Sequence, residues 1–172
     1  MKKEINPFDY AGQICTAMKK GILLTTKWED QVNTMTIGWG TIGIEWGKPV
    51  FAAYVRESRY TRELLDKCGE FTVNIPVDHV DPEIIRICGS KSGRDTDKIK
   101  ALNLTLEEPM EISVPGIREL PLTLECKVIF RNVQDESRLP ESIRSRFYSA
   151  INAKDYHIAY YGEIVAAYLI EE

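Results

Sequence analysis

The sequence has few of the residues that metal and thiol chemistry require. Its 172 residues include only two histidines and four cysteines, and the cysteines are widely scattered with no Cys-x-x-Cys pair. A tetrahedral zinc site therefore has little to draw on. We expect the thiols to be buried and reduced, as free cysteines usually are; they are Cys15, Cys68, Cys88 and Cys126.

Long apolar runs and a strong charge of one sign are also missing. No apolar run approaches the ~18 residues that a transmembrane helix needs. Lys2 and Lys3 are followed by no apolar segment, so we expect no signal peptide. The formal net charge of −4 argues against general nucleic-acid binding. We expect a cytoplasmic protein that binds neither membranes nor nucleic acid.

What is present is a series of short strands separated by turns, which is typical of a mainly β fold, a barrel or sandwich with a few helices. Apolar alternation and turn residues predict strands at 21–27, 32–39, 50–55, 71–75, 122–131 and 156–170. Helices are predicted at 6–18, 59–68, 81–88, 98–102 and 140–148, with Ser58 as the N-cap of the second and Gly69 ending it. No linker or repeat divides the chain, so residues 1–172 are treated as one domain.

Residues 32–61 carry the strongest functional signal. A polar strand broken by glycines is followed by a buried strand and then by a helix that begins with Ser58, Arg59 and Thr61. Helix starts bind phosphate groups because their first N–H groups are unpaired and the helix dipole favours negative charge. Hydroxyl and guanidinium donors on the same turn add charge-assisted hydrogen bonds. The stretch predicts a phosphate-bearing ligand lying across a sheet.

The order and spacing of several motifs over about residues 20–170 resemble the flavin reductase-like family, nearest to its flavoredoxin branch. The motifs are Asn33-x-Met35-Thr36-x-x-Trp39, Arg56-x-Ser58-Arg59-Tyr60-Thr61, Phe71-Thr-Val-Asn74, Ser92-Gly93-Arg94-Asp95-x-Asp97-Lys98, Leu124-Glu-Cys-Lys-Val128 and Tyr161-Gly-Glu-Ile-Val165. One departure is Thr34, which stands where the family often has glycine.

The resemblance implies an FMN-binding split barrel that forms a homodimer, with FMN at or near the subunit interface. It implies three groups of cofactor contacts. Asn33, Thr34, Met35, Thr36 and Trp39 would line the isoalloxazine ring; Arg56, Ser58, Arg59 and Thr61 would face the phosphate and ribityl chain; Ser92, Gly93 and Lys98 would come from the polar loop, and His157 is a further candidate. Because the flavin itself carries hydride and electron transfer, no catalytic side chain is predicted.

The implied function is an oxidoreductase that passes electrons from NAD(P)H through FMN to a flavin, a protein or a small molecule. With no Rossmann-type domain expected, NAD(P)H would stack transiently on the flavin. An electron carrier or FMN store without reductase activity, reduced by a partner protein, needs the same pocket and stays open. Also open is a barrel that binds another phosphate or planar cofactor, such as haem, or that acts only as an interaction module.

Taken alone, each candidate residue also has an ordinary structural role. Asn33 is then a turn residue, Trp39 a core residue and Lys98 a surface lysine. The functional interpretation therefore depends on the whole set lying in the family order. A dimer has independent support, because both faces of the last predicted strand are largely apolar and a second subunit would cover the surplus.

Overall fold

The computed structural model describes residues 1–171. Its strands are β1 (Lys2–Glu4), β2 (Ile22–Trp28), β3 (Gln31–Ile37), β4 (Gly40–Glu45), β5 (Lys48–Arg56), β6 (Glu70–Ile75), β7 (Leu106–Glu107), β8 (Gly116–Ile117), β9 (Leu122–Val133) and β10 (His157–Ile170). Its α-helices are α1 (Ala11–Met18), α2 (Tyr60–Cys68), α3 (Pro82–Ser90), α4 (Lys98–Ala101) and α5 (Glu141–Phe147). Single 3₁₀ turns cover Pro7–Tyr10, Glu136–Arg138 and Ala150–Asn152.

One antiparallel sheet in the order β3-β2-β6-β9-β10-β5-β4 organises the fold, and β1 pairs with the end of β10. β10 is the central strand, since β9 lies along one side and β5 and then β1 lie along the other. β3 and β4 form the two edges of the sheet. The expectation of a mainly β fold with a few helices is confirmed.

The larger hydrophobic core lies on one face of this sheet. Leu24, Phe51, Phe71, Leu124 and Tyr160 come from five different strands and are at most 1% exposed. Removing a side chain as large as Phe71 from such a core costs about 3–5 kcal/mol. This core fixes the strand register, because a shift of one residue would turn the apolar side chains to the opposite face.

The other face of the sheet carries a buried polar layer. Thr25 donates to the Asn74 side chain at 3.0 Å and also contacts the Thr34 hydroxyl at 3.0 Å. Thr72 donates to the carbonyl of Pro115, and Asn74 donates to Thr123. The simple apolar alternation expected for 122–131 therefore fails in part: Thr123 is buried along with its apolar neighbours. Hydrogen bonding offsets the cost of burying these groups.

The main error of sequence-based prediction is that it misses β4, because the glycines at 38, 40 and 43 interrupt the apolar alternation by which a strand is recognised. Those glycines have the Gly-x-Gly-x-x-Gly spacing, but the run forms the β3–β4 connection and an edge strand, and another strand follows where a dinucleotide fingerprint has a helix. A Cβ on Gly40 would lie 2.7 Å from the Phe51 ring, so close packing requires glycine there.

Two smaller expectations also need correction. The predicted strand 32–39 ends at Ile37. The four cysteines are free as expected, but only Cys88 and Cys126 are buried, while Cys15 is exposed and Cys68 is half-buried. Gly69 ends α2 in the left-handed conformation (φ 66°), as predicted. Within residues 1–171, no helix is long and apolar enough to cross a membrane.

Candidate functional site

A groove runs along the edge of β3, where α2, α3 and the 91–98 loop approach the sheet. At one end is a cavity of about 100 Å³, here called the anion pocket. It brings together residues that are up to 65 positions apart in the sequence. Its lining residues are Asn33, Met35, Ser58, Arg59, Tyr60, Thr61, Cys88, Lys91, Ser92, Gly93, Arg94 and Lys98.

Of the four cations that line the anion pocket, Arg94 pairs with Glu63, and the other three have no carboxylate partner among the residues that the structure describes: Arg59, Lys91 and Lys98. Lys98 is only 4% exposed, and its Nζ donates to the carbonyl of Lys91 at 3.2 Å. Arg59 donates through one terminal nitrogen to the carbonyl of Gly89 at 3.4 Å. Arg59 is exposed, whereas Lys98 is buried, and an isolated charge is costly to bury. The uncompensated Lys98, with Arg59 beside it, favours an anionic ligand.

The pKa values in this pocket show why no protein group balances the charge. Burial lowers the pKa of Lys98 below its ordinary value; the nearby Cys88 opposes this effect, and the positive charge of Arg59 reinforces it. Burial raises the pKa of the Cys88 thiol to about 11, with the charge of Lys98 acting in the other direction. Cys88 is therefore a neutral thiol at pH 7.

Asn33 and Gly93 hold the polar loop against β3. The Asn33 Nδ2 donates to the Thr61 hydroxyl at 2.8 Å, which links β3 to the first turn of α2. A Cβ on Gly93 would lie 2.1 Å from the Asn33 Oδ1, so only glycine allows this approach. The loop that carries Ser92 and Lys98 is thus positioned by a contact between backbone and side chain.

Ser58 is not the helix N-cap that was predicted. Arg59 occupies the N-cap position, with no capping bond from its side chain. The Ser58 hydroxyl instead donates to Asp155 Oδ2 at 2.7 Å, and the Ser58 N–H donates to Oδ1 at 3.0 Å. The stronger acceptor comes from a loop 97 positions away, and this long-range bond replaces the local cap.

Arg56, at the end of β5, contacts the same loop. Its guanidinium donates to the carbonyls of Asp155 at 2.8 Å and Phe147 at 3.1 Å, and it lies over the Tyr148 ring at 5.2 Å from the centroid. Arg56 lines the next cavity along the groove rather than the anion pocket. Its described contacts are those of a residue that connects β5 to the segment before β10.

The other end of the groove is a cavity of about 180 Å³, here called the aromatic pocket. Its lining residues are Met35, Thr36, Ile37, Gly38, Trp39, Tyr54, Arg56, Arg59 and His157. Met35 and Arg59 line both pockets, so the two cavities form one groove. Trp39 is 42% exposed; its ring lies 4.8 Å from that of His157 and 5.1 Å from that of Phe147.

His157 is a buried neutral residue. Burial lowers its pKa to about 4, with the Arg56 charge adding to the effect, Asp155 opposing it and Arg59 contributing further. The Tyr148 hydroxyl lies 2.7 Å from His157 Nδ1. At pH 7 the imidazole presents a neutral ring to the aromatic pocket, which suits contact with another planar ring.

β3 contributes mainly through its free edge, because it pairs with β2 on one side and with no other strand among residues 1–171. Its unpaired backbone groups are available to a ligand in the groove. The Thr36 hydroxyl donates to the carbonyl of Ile85 at 2.7 Å, so its side chain connects β3 to α3. Thr34 points into the buried polar layer, and its side chain lines neither pocket.

The groove thus gathers the predicted residues with the exception of the Thr34 side chain. Sequence reasoning missed Tyr54, which lines the aromatic pocket, and Asp155, which binds Ser58. Strand periodicity could have found Tyr54, because it lies two residues before Arg56 and so shares its face of β5. No local signal marks Asp155.

Comparisons with known proteins place this geometry in context. A model described as the flavin reductase like domain matches residues 17–172. An uncharacterised protein of Archaeoglobus fulgidus is 32% identical over 100 residues, covering 58% of this chain and 55% of that protein. The chain thus matches about half the length of the curated relatives.

Two solved structures show the same fold. A flavoredoxin from Methanosarcina acetivorans has a TM-score of 0.63 at 26% identity and covers 88% of this chain and 68% of its own. An FMN-binding domain of a flavin reductases-like enzyme from Shewanella baltica also has a TM-score of 0.63, at 16% identity, and covers 98% of this chain and 77% of its own. The expected split barrel is confirmed.

Proposed function

Since the chain belongs to the flavin reductase-like domain family, we propose that it is a single-domain FMN-binding oxidoreductase. It passes electrons from NAD(P)H through FMN to a flavin, a protein or a small-molecule acceptor. The observation that carries the proposal is the buried Lys98 with the exposed Arg59 beside it, at one end of a groove whose other end is aromatic. Neither cation has a carboxylate partner in residues 1–171. FMN has the matching polarity, with a dianionic phosphate at one end and a planar ring at the other.

The residues fit FMN in position and chemistry. Arg59, Lys98, Ser92 and Thr61 would hold the phosphate, with the N–H groups at the start of α2. Ser58 belongs to this set only if Asp155 releases its hydroxyl. The β3 edge at Asn33–Ile37 and the Trp39 ring would hold the isoalloxazine, and Arg56, Gly93 and His157 would shape the walls. When bound, FMN supplies the hydride and electron chemistry.

Three of these assignments differ from the sequence-based expectation. Thr34 would contact the cofactor only through its backbone, because its hydroxyl belongs to the polar layer. Arg56 would act on the wall of the groove and not on the phosphate. Lys98, which was expected only as a cofactor contact from the polar loop, would bind the phosphate at the anion end.

A second copy of the chain is the proposed partner. Trp46, Phe130 and Tyr161 form an aromatic cluster on the β4–β5 hairpin, β9 and β10, with ring centroids 5.4–6.4 Å apart. Trp46 and Phe130 are exposed, and Tyr161 is half-buried. Ile44 beside the cluster is 67% exposed, and Trp46 is 59% exposed. Contiguous apolar surface of this kind marks interfaces. A light-scattering mass of one chain at micromolar concentration would contradict the homodimer.

A non-catalytic electron carrier is the second candidate, favoured by the likeness to a flavoredoxin. Both candidates need the same FMN site, so only the electron donor separates them. In either case we propose a cytoplasmic location, in keeping with four free cysteines, since cytosolic thiols stay reduced. Cell fractionation tests that part.

The first experiment is the visible spectrum of the purified, untagged protein, with and without added FMN, followed by anaerobic addition of NADH or NADPH. A bound-flavin spectrum that bleaches supports the oxidoreductase. A bound-flavin spectrum that stays unchanged supports the carrier. If no FMN binds, both proposals are wrong. His157→Ala should leave FMN bound, whereas a haem protein that uses this residue as its axial ligand would lose its cofactor.

Replacing Ser58 and Arg59 together with alanine tests where the phosphate lies. Riboflavin lacks the phosphate, so its affinity should change far less than that of FMN. Each charge-assisted bond contributes about 1.5–3 kcal/mol. Equal losses for the two ligands would show that the phosphate lies elsewhere.

A further inference from the structure

A third cavity adjoins the aromatic pocket and has a different character. It has a volume of about 470 Å³, within the roughly 300–1,000 Å³ typical of small-molecule sites. It lies between the end of α1, the β3–β4 connection and α5. Its lining residues are Cys15, Met18, Lys19, Gly38, Trp39, Gly40, Tyr54, Gln134, Leu139, Ile143, Phe147, Tyr148 and His157, and we call it the apolar cavity.

The walls of the apolar cavity are mainly flat rings and aliphatic side chains. Trp39 and Phe147 meet edge to face at 5.1 Å, and Ile143 adds an aliphatic surface from α5. These rings, in contact with each other, form an angled apolar wall against which a planar ligand can pack. Trp39 and Tyr54 also line the aromatic pocket, so a ligand here would lie beside the proposed flavin ring.

The charge lining this cavity has one sign. Lys19, at the C-terminal end of α1, is exposed, and no acidic side chain lines the cavity among the residues described. The other titratable groups of the lining are Cys15, Tyr54, Tyr148 and His157. Burial lowers the pKa of His157 to about 4, so its imidazole is neutral at pH 7. The single positive charge at the rim would attract one negative charge on a ligand and would repel a cation.

We propose that the apolar cavity binds a planar aromatic monoanion, such as an aromatic carboxylate, with its ring against Trp39, Phe147 and Ile143 and its acidic group toward Lys19. A small aromatic acid would then be the substrate of the proposed oxidoreductase. This identification as substrate rests on the proposed function, but the binding itself does not depend on FMN.

The test is calorimetric titration of the full-length protein, with and without saturating FMN, using 2-naphthoate and 2-naphthylmethylammonium as probes of equal ring size. We expect 2-naphthoate to bind at least about tenfold more tightly than the cation, a ratio that corresponds to ~1.4 kcal/mol. Lys19→Glu should reverse this preference. Lys20→Glu is the matched control, because Lys20 is adjacent, exposed and outside the cavity lining, and it should retain the wild-type order.

The apolar wall is tested separately. Ile143→Glu places a carboxylate beside the ring and should weaken 2-naphthoate binding at least about tenfold while FMN affinity stays within twofold. Met110→Glu is the control, since Met110 is 41% exposed against 40% for Ile143 and lies outside the cavity lining. Absence of saturable 2-naphthoate binding, tighter binding of the cation, or indifference to Lys19→Glu would overturn the proposal even if FMN binds. Naphthoate binding without FMN binding would overturn the proposed function alone.

Discussion

Replacing Lys98 with methionine should stabilise the FMN-free protein and weaken its affinity for FMN. Methionine keeps most of the length of the side chain and removes its charge. The desolvation of a buried charge costs several kcal/mol, and the bond to the Lys91 carbonyl recovers only part of it. Lys91 is exposed, so water can replace the lost donor. We expect a gain on the order of 1 kcal/mol, or about 2–4 °C in Tm for a chain of this size.

The loss of FMN affinity follows from the phosphate. A hydrogen bond between Lys98 and a phosphate oxygen would contribute about 1.5–3 kcal/mol. Kd for FMN should therefore rise about 10- to 150-fold, at about 1.4 kcal/mol per factor of ten. The Kd for riboflavin, which has no phosphate, should change by less than about threefold.

The pH dependence of stability provides a second measurement on the same variant. Because the pKa of Lys98 in the folded protein is lowered, the unfolded chain binds more protons between that value and the ordinary value near 10.4. The wild-type protein should therefore gain stability as the pH rises through this window, and Lys98→Met should lack this part of the gain. The advantage of the variant is thus largest below the lowered pKa.

Thermal melting of the FMN-free protein at neutral and alkaline pH, together with FMN and riboflavin titrations, measures all three quantities. The reasoning would be refuted by a variant that is less stable at neutral pH, or by one that loses FMN and riboflavin affinity equally. The first outcome would mean that Lys98 is stabilised by the protein itself. The second would place the phosphate away from the anion pocket.

Three further predictions concern other parts of the molecule. Because burial lowers the pKa of His157 to about 4, the stability of the wild-type protein should fall as the pH drops from about 6.5 to 4. In His157→Phe the urea midpoint should fall less over this pH range. The same dependence of the urea midpoint on pH in both proteins would contradict the prediction. Gly93→Ala should destabilise the fold by about 1–3 kcal/mol and weaken FMN binding, whereas Gly43→Ala, which meets nothing within 4 Å, should stay near wild type in the same melts and titrations. Trp46→Glu should shift the light-scattering mass toward one chain, whereas Trp28→Glu should not; a dimer that survives the first change would place the interface elsewhere.

Sequence patterns predicted the helices and strands whose bounds are set by residues within the element itself. The alternation in β6 and the apolar face of α2 follow from side-chain periodicity alone. The helix end at Gly69 follows from the preference for glycine at a left-handed helix end, and the structure shows that conformation at φ 66°. β4 was missed because its glycines interrupt the strand pattern. Gly40 is required by its close contacts with the Phe51 ring and Met18, which come from other elements. Glycines at close contacts carry no information about their partner in a single sequence.

The site shows the same division between local and long-range causes. The family order of motifs placed Asn33, Arg59 and Gly93 in one groove, and the structure brings them together. The burial of Lys98 could not be predicted from its polar neighbours, since α4 packs against β3 and Lys98 shares its pocket with Arg59 and Cys88, which come from elsewhere in the sequence. Ser58 was assigned to its own helix because the competing acceptor, Asp155, lies 97 residues away.

The central position of β10 has a consequence for hydrogen exchange. Amides of a strand paired on both sides exchange only in large opening events, whereas those of an edge strand exchange through local fraying. His157 begins the doubly paired β10, while Met35 lies on the edge strand β3, so the aromatic pocket joins the slowest-exchanging part of the sheet to one of the fastest. Ligand in the groove should therefore slow amide exchange mainly along β3 and leave β10 nearly unaltered.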